Sequence, residues 1–370
     1  MKTKILFYID TLIGGGAEKV LQTLVNSMDQ TKFDITVQTT FKENGSDFLN
    51  DGITYKYCYK NRNALTDIIF RIEAESGIIH PLHVKGGYDI EVAYLECAPT
   101  KIIASSTDKN SKKIAWAHCD LRKITDDPLK FAEKSKPRYE KFDKVVCVSE
   151  SVRESFTELF GDTPESVVLY NTIDSDEILK KSASPLPDGI EKRKFTLISL
   201  GRLSPVKNYP RLLKSVKQLL NEGFDFDLWI LGKGDERRQL EDYISNNGLT
   251  ENVKLFGYQS NPYPFIKQAD LSVCSSNFEG FSTFITESLV LGKTAVTTNC
   301  SGMSELLGEN EYGIITDFDE GSFTDGLRKM LSDTELFNSY SQKAKTRGSL
   351  FSKEALTEQT QNFFLETLNN

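Results

Sequence analysis

Two glutamates eight residues apart, Glu279 and Glu287, stand in the stretch NFEGFSTFITESLVLGKTAVTTNCSG from Asn277 to Gly302. The spacing crosses a turn that runs into an apolar helix. Glu279 sits in the turn, just before a small-residue helix start at Ser282 and Thr283. At ~3.6 residues per turn, Glu287 lies about two turns further on. One carboxylate can reach a ligand at the helix tip, and the other can reach its far end. Between them lie the first backbone N–H groups of the helix, which have no intrahelical partner and suit an anion. Such a site fits a sugar–diphosphate–ribose ligand, with hydroxyls on the carboxylates and phosphate on the amides. The bland alternative is a capping acid followed by a surface acid.

Arg202 and Lys207 lie in SLGRLSPVKNYPRLL, in the loop after a strand. Asn208 can cap the helix that follows. Two cations at a strand's C-terminal end suit a diphosphate and would stabilise the charge that grows on a departing phosphate. Solvated surface cations are the other reading. Gly14, Gly15 and Gly16 come straight after the first strand and open a helix. They are not a dinucleotide fingerprint, because its third glycine would fall at Lys19. They permit close backbone approach to a ligand, or make a tight turn. Gly232-Lys233-Gly234 is a second such turn. His118 ends a strand, as a ligand-facing group or as a structural hydrogen-bonding residue. His80-Pro-Leu-His83 has the spacing of a metal pair, but Pro81 breaks the helix that such a pair would use. The D-x-D tripeptides at 174–176, 225–227 and 317–319 lack supporting context, so no metal is expected.

The elements that must position these groups alternate. Strand candidates in the first half are KILFYID, DITVQTT, DIEVAYL, KKIAWAH, KVVCVS and SVVLYN. Amphipathic helices fall at Glu18–Met28, Asp67–Glu75 and Glu150–Phe160. KKSASPLPDGIEKRK reads as a linker. FTLISLG, DFDLWILG, NVKLFG, DLSVCSS, KTAVTTN and YGIITD follow, again with helices between. The pattern predicts an α/β protein of two doubly wound Rossmann-like domains, 1–185 and 186–350, with ligand at the strands' C-terminal ends in an inter-domain cleft. A last helix within 351–370 packs back on the body, crossing to the first domain.

Composition bounds the function. A chain of 370 residues suits two domains, and 39% hydrophobic content supplies real cores. No apolar run is long enough to span a membrane. The N-terminal MKTKILFYIDTLIGGG reads as a buried strand, because Asp10 interrupts its apolar run. A net charge of −8 and a pI near 5.2 argue against nucleic acid as a partner. Between Lys101 and Lys144 basic residues outnumber acidic ones, with Phe131, Tyr139 and Phe142 among them. That stretch suggests an anionic membrane surface or a solvated face. Six cysteines without C-x-x-C spacing read as reduced cytosolic thiols.

A glycine loop after strand one, W-x-H in the first domain, G-R-L-x(4)-K-N opening the second, and E-G-F followed by a second glutamate together resemble one family. It is the large retaining glycosyltransferase family of GT-B fold, which includes bacterial phosphatidylinositol mannosyltransferases and capsule and lipopolysaccharide enzymes. The resemblance spans nearly the whole chain and is strongest from Ser199 to Thr316. It implies that Arg202 and Lys207 bind the donor diphosphate, Glu279 the donor sugar and Glu287 the ribose. It implies phosphate-binding amides at Phe281, Ser282 and Thr283, and a base site on the main chain around Phe256–Tyr258, taking in Gly257. His118 resembles the histidine beside the transferred sugar, and Gly15 and Gly16 the loop over donor phosphate and acceptor. Ser282 and Ser288 depart from the commoner glycine and alanine.

The resemblance implies a cytoplasmic, metal-independent hexosyltransferase with no cofactor. Its substrates would be a nucleotide-sugar donor, with UDP as the family prior, and a saccharide or lipid-linked acceptor. A non-catalytic GT-B subunit that binds a partner enzyme is the alternative.

Overall fold

The protein is described by a computed structural model covering residues 2–369 except Gly14 and Thr163, with the side chains of Gly45 and Ser46 left aside. Seven strands form one sheet: β1 (Thr3–Ile9), β2 (Phe33–Phe41), β3 (Thr54–Tyr59), β4 (Ile90–Ala93), β5 (Lys112–Ala117), β6 (Lys144–Cys147) and β7 (Glu165–Val168). Six form a second: β8 (Phe195–Leu200), β9 (Phe226–Leu231), β10 (Val253–Gly257), β11 (Leu271–Cys274), β12 (Ala295–Thr298) and β13 (Ile314–Thr316). The orders are β3-β2-β1-β4-β5-β6-β7 and β10-β9-β8-β11-β12-β13. Each pairing is parallel. Parallel strands covered on both faces need unbroken apolar runs, and FDLWIL of β9 is buried at each position.

In each sheet the winding reverses once. The chain moves outward from β1 to β3, then returns to place β4 beside β1. The second sheet repeats this at β8 and β11. Loops leaving the C-terminal ends of such a strand pair diverge, and ligands of doubly wound sheets bind there. Arg202 and Lys207 follow β8, and Glu279 follows β11.

The chain divides into two compact units, Met1–Ile173 with Lys353–Asn370, and Asp174–Ser352. The passage into the second unit therefore precedes the proline-rich stretch. The helix Ser175–Ser182 packs on the helices Tyr263–Gln268 and Thr283–Val290, with Ile178 buried. The C-terminal helix Lys353–Asn369 belongs to the first unit. Its fully buried Phe364 meets the rings of Phe7 at 5.8 Å and Trp116 at 6.4 Å.

Twelve of the thirteen strands coincide with apolar runs in the sequence; β3 does not. TYKYCY lies on the sheet edge and is only half-covered, so tyrosines alternate with polar residues. The histidine pair also differs from expectation. Ile79–His83 is a short helix despite Pro81, since a proline in the first turn gives up no intrahelical bond. Its histidines serve separate acids, His80 Nε2 at 3.1 Å from Glu91 and His83 Nε2 at 2.8 Å from Glu73.

Candidate functional site

In the second unit, the loops after β8 and β11 are zipped together. The backbone N–H of Asn277 donates to Val206 at 2.7 Å, and Ser275 Oγ donates to the Lys207 carbonyl at 2.9 Å. Asn208 Nδ2 donates to Asn277 Oδ1 at 3.0 Å, and Arg211 donates to the Ser275 carbonyl at 2.8 Å. Asn208 also caps the helix Tyr209–Asn221, accepting from the Arg211 N–H at 3.2 Å.

This zipper brings Lys207 to Glu279, 72 residues away, with Nζ 2.5 Å from Oε1. Ser276 Oγ donates to the same carboxylate oxygen at 2.6 Å. The side chains are 23% and 12% exposed, so the pair is largely withdrawn from water yet open on one side. Burial by itself would lower the Lys207 ammonium, but the adjacent Glu279 carboxylate outweighs it and holds the lysine charged, above its ordinary range. Arg202 is exposed and has no hydrogen bond or ion pair among the described residues.

The helix Thr283–Val290 starts where the small residues lie, with Ser282 Oγ accepting from the Ile285 N–H at 3.4 Å. Phe281 and Ser282 are buried, and Thr283 is half-buried. Gly302 braces the turn before them at φ +77°, where a Cβ would stand 2.7 Å from the Gly280 carbonyl. Glu287 is buried in this helix, and Tyr263 OH donates to its Oε1 at 3.2 Å.

Gly257 ends β10 at φ +73° and accepts from the Gly232 N–H at 2.8 Å. Tyr258 beyond it is 67% exposed, with Lys233 Nζ 5.3 Å above its ring. Gly232 and Gly234 serve backbone packing. A Cβ would fall 1.9 Å from the Gly201 carbonyl at the first and 2.2 Å from the Leu203 carbonyl at the second.

In the first unit, Gly15 and Gly16 cap and open the helix Gly16–Ser27 after β1; Gly14 lies outside the described residues. Gly15 is extended, and a Cβ there would meet the Glu18 carboxylate. His118 follows β5, packed against the rings of Tyr94 at 4.8 Å and Trp116 at 6.4 Å. Burial lowers its pKa to about 3, opposed by a hydrogen bond to the Tyr94 backbone. Its Nε2 is buried without a partner among the described residues, so that bond leaves from Nδ1 and Nε2 is an acceptor.

Through His118, acid should therefore draw stability from this unit. An imidazole that titrates near 6.5 unfolded stays neutral to about pH 3 folded, so the stabilisation present above pH 6.5 is lost as pH falls toward 3. The loss is at most about 1.4 kcal/mol per pH unit. Half-buried Asp10, raised to about 6 by desolvation, acts in the opposite direction, so the measurement is a difference. The gap in melting temperature between wild type and His118→Gln should shift against wild type from pH 7 to pH 4.5. A gap independent of pH would contradict a buried neutral histidine.

Residues 182–347 match the family model described as glycosyl transferases group 1. That segment belongs to the group 1 family. A Campylobacter jejuni relative, N-acetylgalactosamine-N,N'-diacetylbacillosaminyl-diphospho-undecaprenol 4-alpha-N-acetylgalactosaminyltransferase, is 34% identical over 230 residues, 61% of this chain and 61% of that protein. The lipopolysaccharide core biosynthesis glycosyltransferase LpsE of Rhizobium meliloti is 26% identical over 218 residues, 58% of this chain and 62% of its own. The alignments thus span about three fifths of these relatives' lengths. Among solved structures, the Anabaena protein Alr3699/HepE in complex with UDP superposes with a TM-score of 0.76 at 18% identity, covering 98% of this chain and 100% of that one. Sucrose-phosphate synthase from Thermosynechococcus elongatus gives 0.80 at 14%, covering 99% of each. At these identities the likeness is one of fold, and the fold is GT-B.

Within the group 1 segment, two contributors escaped the sequence reading. Ser276 supports Glu279, and Tyr263 supports Glu287. Outside it, Glu96 is a third. Buried after β4, it accepts the backbone N–H groups of His118 at 2.5 Å and Cys119 at 3.1 Å, and so fixes the loop that carries the histidine. No motif marks these residues, although each lies directly beyond a strand end or at the start of the next helix.

The D-x-D tripeptides have structural duties. Asp174 and Asp319 cap helices, while Asp225 and Asp227 lie beside Lys194 and Arg193. The aromatic residues of the Lys101–Lys144 stretch pack inward and leave its lysines outside. Tyr139 and Phe142 are buried, and Phe131 packs edge-on against Phe160 at 6.3 Å. The helix Pro128–Tyr139 turns its aromatic side inward and its lysines outward.

Proposed function

We propose that the chain is a metal-independent, retaining glycosyltransferase. It moves a hexosyl group from a nucleotide-diphosphate donor, a UDP-sugar, to a saccharide or lipid-linked acceptor in surface polysaccharide or glycolipid synthesis. The observation that carries this reading is the Lys207–Glu279 pair, held by the zipped loops at a winding reversal inside the group 1 segment. The HepE complexes with UDP and UDP-glucose, and the diphospho-undecaprenol in the Campylobacter jejuni relative's name, support the donor and acceptor classes. That relative and a Bacillus subtilis one are named for α-linked transfer, which fits retention of an α-configured donor.

In this reading Arg202 and Lys207 bind the diphosphate, with the amides of Phe281, Ser282 and Thr283. Glu279 takes hydroxyls of the sugar and Glu287 those of the ribose. Gly257 and Tyr258 flank the base. His118, with Nε2 as acceptor, and the Gly15–Gly16 loop serve the transferred sugar and the acceptor. The bond between the anomeric carbon and the phosphate oxygen breaks as the acceptor oxygen bonds to the same face. The acceptor's proton passes to the departing phosphate. The protein contributes positioning and charge stabilisation rather than a nucleophile.

The test is a thermal-shift series with UDP, GDP and UDP-sugars, followed by UDP-sugar hydrolysis without acceptor. UDP at about 100 times its Kd should stabilise by about 2.7 kcal/mol. Hydrolysis should survive excess EDTA. Stabilisation without hydrolysis would favour a non-catalytic subunit, and loss in EDTA with rescue by Mn²⁺ would overturn metal independence.

A further inference from the structure

Glu96 is a buried acid without a cation. It is 8% exposed and makes no ion pair among the described residues. Burying such a group is costly unless hydrogen bonds hold it. Its bonds are narrowly placed. One oxygen, Oε1, accepts the N–H of His118 at 2.5 Å and that of Cys119 at 3.1 Å, from 22 and 23 residues away. Bonds to a charged acceptor are stronger than neutral ones. The acid inside the loop itself does not compete for these donors. Asp120 faces Arg122, accepting its Nε at 2.9 Å and its Nη2 at 3.0 Å.

The backbone is strained where Glu96 turns inward. Cys97, the next residue, stands at φ +65° and ψ −103°, a conformation that residues with a side chain rarely adopt. Both flanks are pinned. The Tyr94 N–H donates to the Tyr8 carbonyl at 2.9 Å. The Cys97 carbonyl accepts from Thr100 Oγ1 at 2.9 Å as the helix Ala98–Ile103 begins. Strain of this kind persists where the surroundings over-determine it, and it gathers at functional sites. What the turn secures is the reach of Glu96 to the end of β5.

Residues 94–96 therefore grip His118 at two points. The Tyr94 backbone takes the imidazole at Nδ1, and its ring packs against the imidazole at 4.8 Å. Glu96 takes the main chain of the same residue. Nε2 is the atom left over as an acceptor. We propose that Glu96 is the positioning residue for His118. By holding two backbone N–H groups on one oxygen, it sets where the imidazole stands and keeps Nε2 available to a hydroxyl of the transferred sugar or the acceptor. The use of Nε2 rests on the glycosyltransferase reading, whereas the grip on the imidazole does not.

The experiment compares Glu96→Gln, which keeps the reach without the charge, with Glu96→Asp, which keeps the charge one methylene short. The full chain is labelled with 15N in its three histidines, and His118→Gln assigns the signal. Wild-type His118 should remain the neutral Nδ1–H tautomer from pH 7 to pH 4.5. Burial raises the Glu96 carboxyl, and glutamine mimics its protonated form, so Glu96→Gln should match wild type across that range. In Glu96→Asp the freed imidazole should mix tautomers and titrate nearer the ordinary value of about 6.5. UDP-sugar hydrolysis should follow the same order. Glu96→Asp should lower kcat by about 10²-fold, the cost of a small misplacement, with KM little changed, and Glu96→Gln should stay within about threefold. An unmoved imidazole in Glu96→Asp would overturn the proposal. So would an equal change in both variants, since charge rather than reach would then govern the histidine. A displaced imidazole with unchanged kcat would reduce Glu96 to a purely structural residue. Absence of hydrolysis in the wild type would count against the glycosyltransferase reading, and the imidazole signals would still decide the grip.

Discussion

Lys207→Ala should lower kcat by about 10²–10³-fold, the usual cost of losing one charged donor to a transition-state anion. The geometry compounds the effect. Glu279 would lose the ammonium 2.5 Å away and keep the Ser276 hydroxyl at 2.6 Å and the weaker Cys274 thiol at 3.6 Å as side-chain donors. A carboxylate left in a half-buried turn is poorly placed to hold a sugar whose phosphate also lacks its cation. The stability cost should also be appreciable, about 3 kcal/mol, because removing one partner of a largely buried pair leaves the other charge uncompensated. Steady-state hydrolysis and a melting curve separate the two effects. A kcat within about threefold of wild type in a folded variant would take the transition-state role away from Lys207.

Glu279→Gln and Glu287→Gln should part company in a binding experiment. If Glu279 touches the transferred sugar, its loss weakens the UDP-sugar and leaves free UDP nearly unchanged. If Glu287 touches the ribose, its loss weakens both ligands by a similar factor. A hydrogen bond from a neutral hydroxyl to a carboxylate contributes about 1.5–3 kcal/mol, so each loss should be about tenfold or more. Tyr263→Phe should reproduce part of the Glu287 phenotype for both ligands, because its hydroxyl orients that carboxylate. Calorimetric titration of UDP and the UDP-sugar into the three variants decides it. Equal loss of UDP in both glutamine variants, or none in either, would return the two acids to structural roles.

Features of the chain that depend on local order could be read in advance, and those that depend on distant partners could not. The strands buried on both faces announce themselves as unbroken apolar runs, and the helix start at Ser282 as small polar residues before such a run. The β3 edge gives no such signal, since only one side of it has to be apolar. The two motifs that supply Lys207 and Glu279 are separately visible, but their contact depends on hydrogen bonds across 64 to 72 residues. Ser276, Tyr263 and Glu96 are ordinary residues made important by what the fold sets beside them. The aromatic residues near Lys136 misled for the opposite reason. Composition mixes the two sides of a helix that folding separates.

The first unit is assembled from both ends of the chain, with the second inserted between Ile173 and Lys353. During synthesis the order of completion is therefore inverted. The sheet that emerges first stays without Phe364, which meets Phe7 and Trp116, until the segment after Lys353 is made. The inserted unit is continuous in sequence and can close its own core while its neighbour waits. A chain ending shortly before Lys353 would carry a complete second unit beside an unsealed first one. Partially made chains would then expose that apolar gap to chaperones.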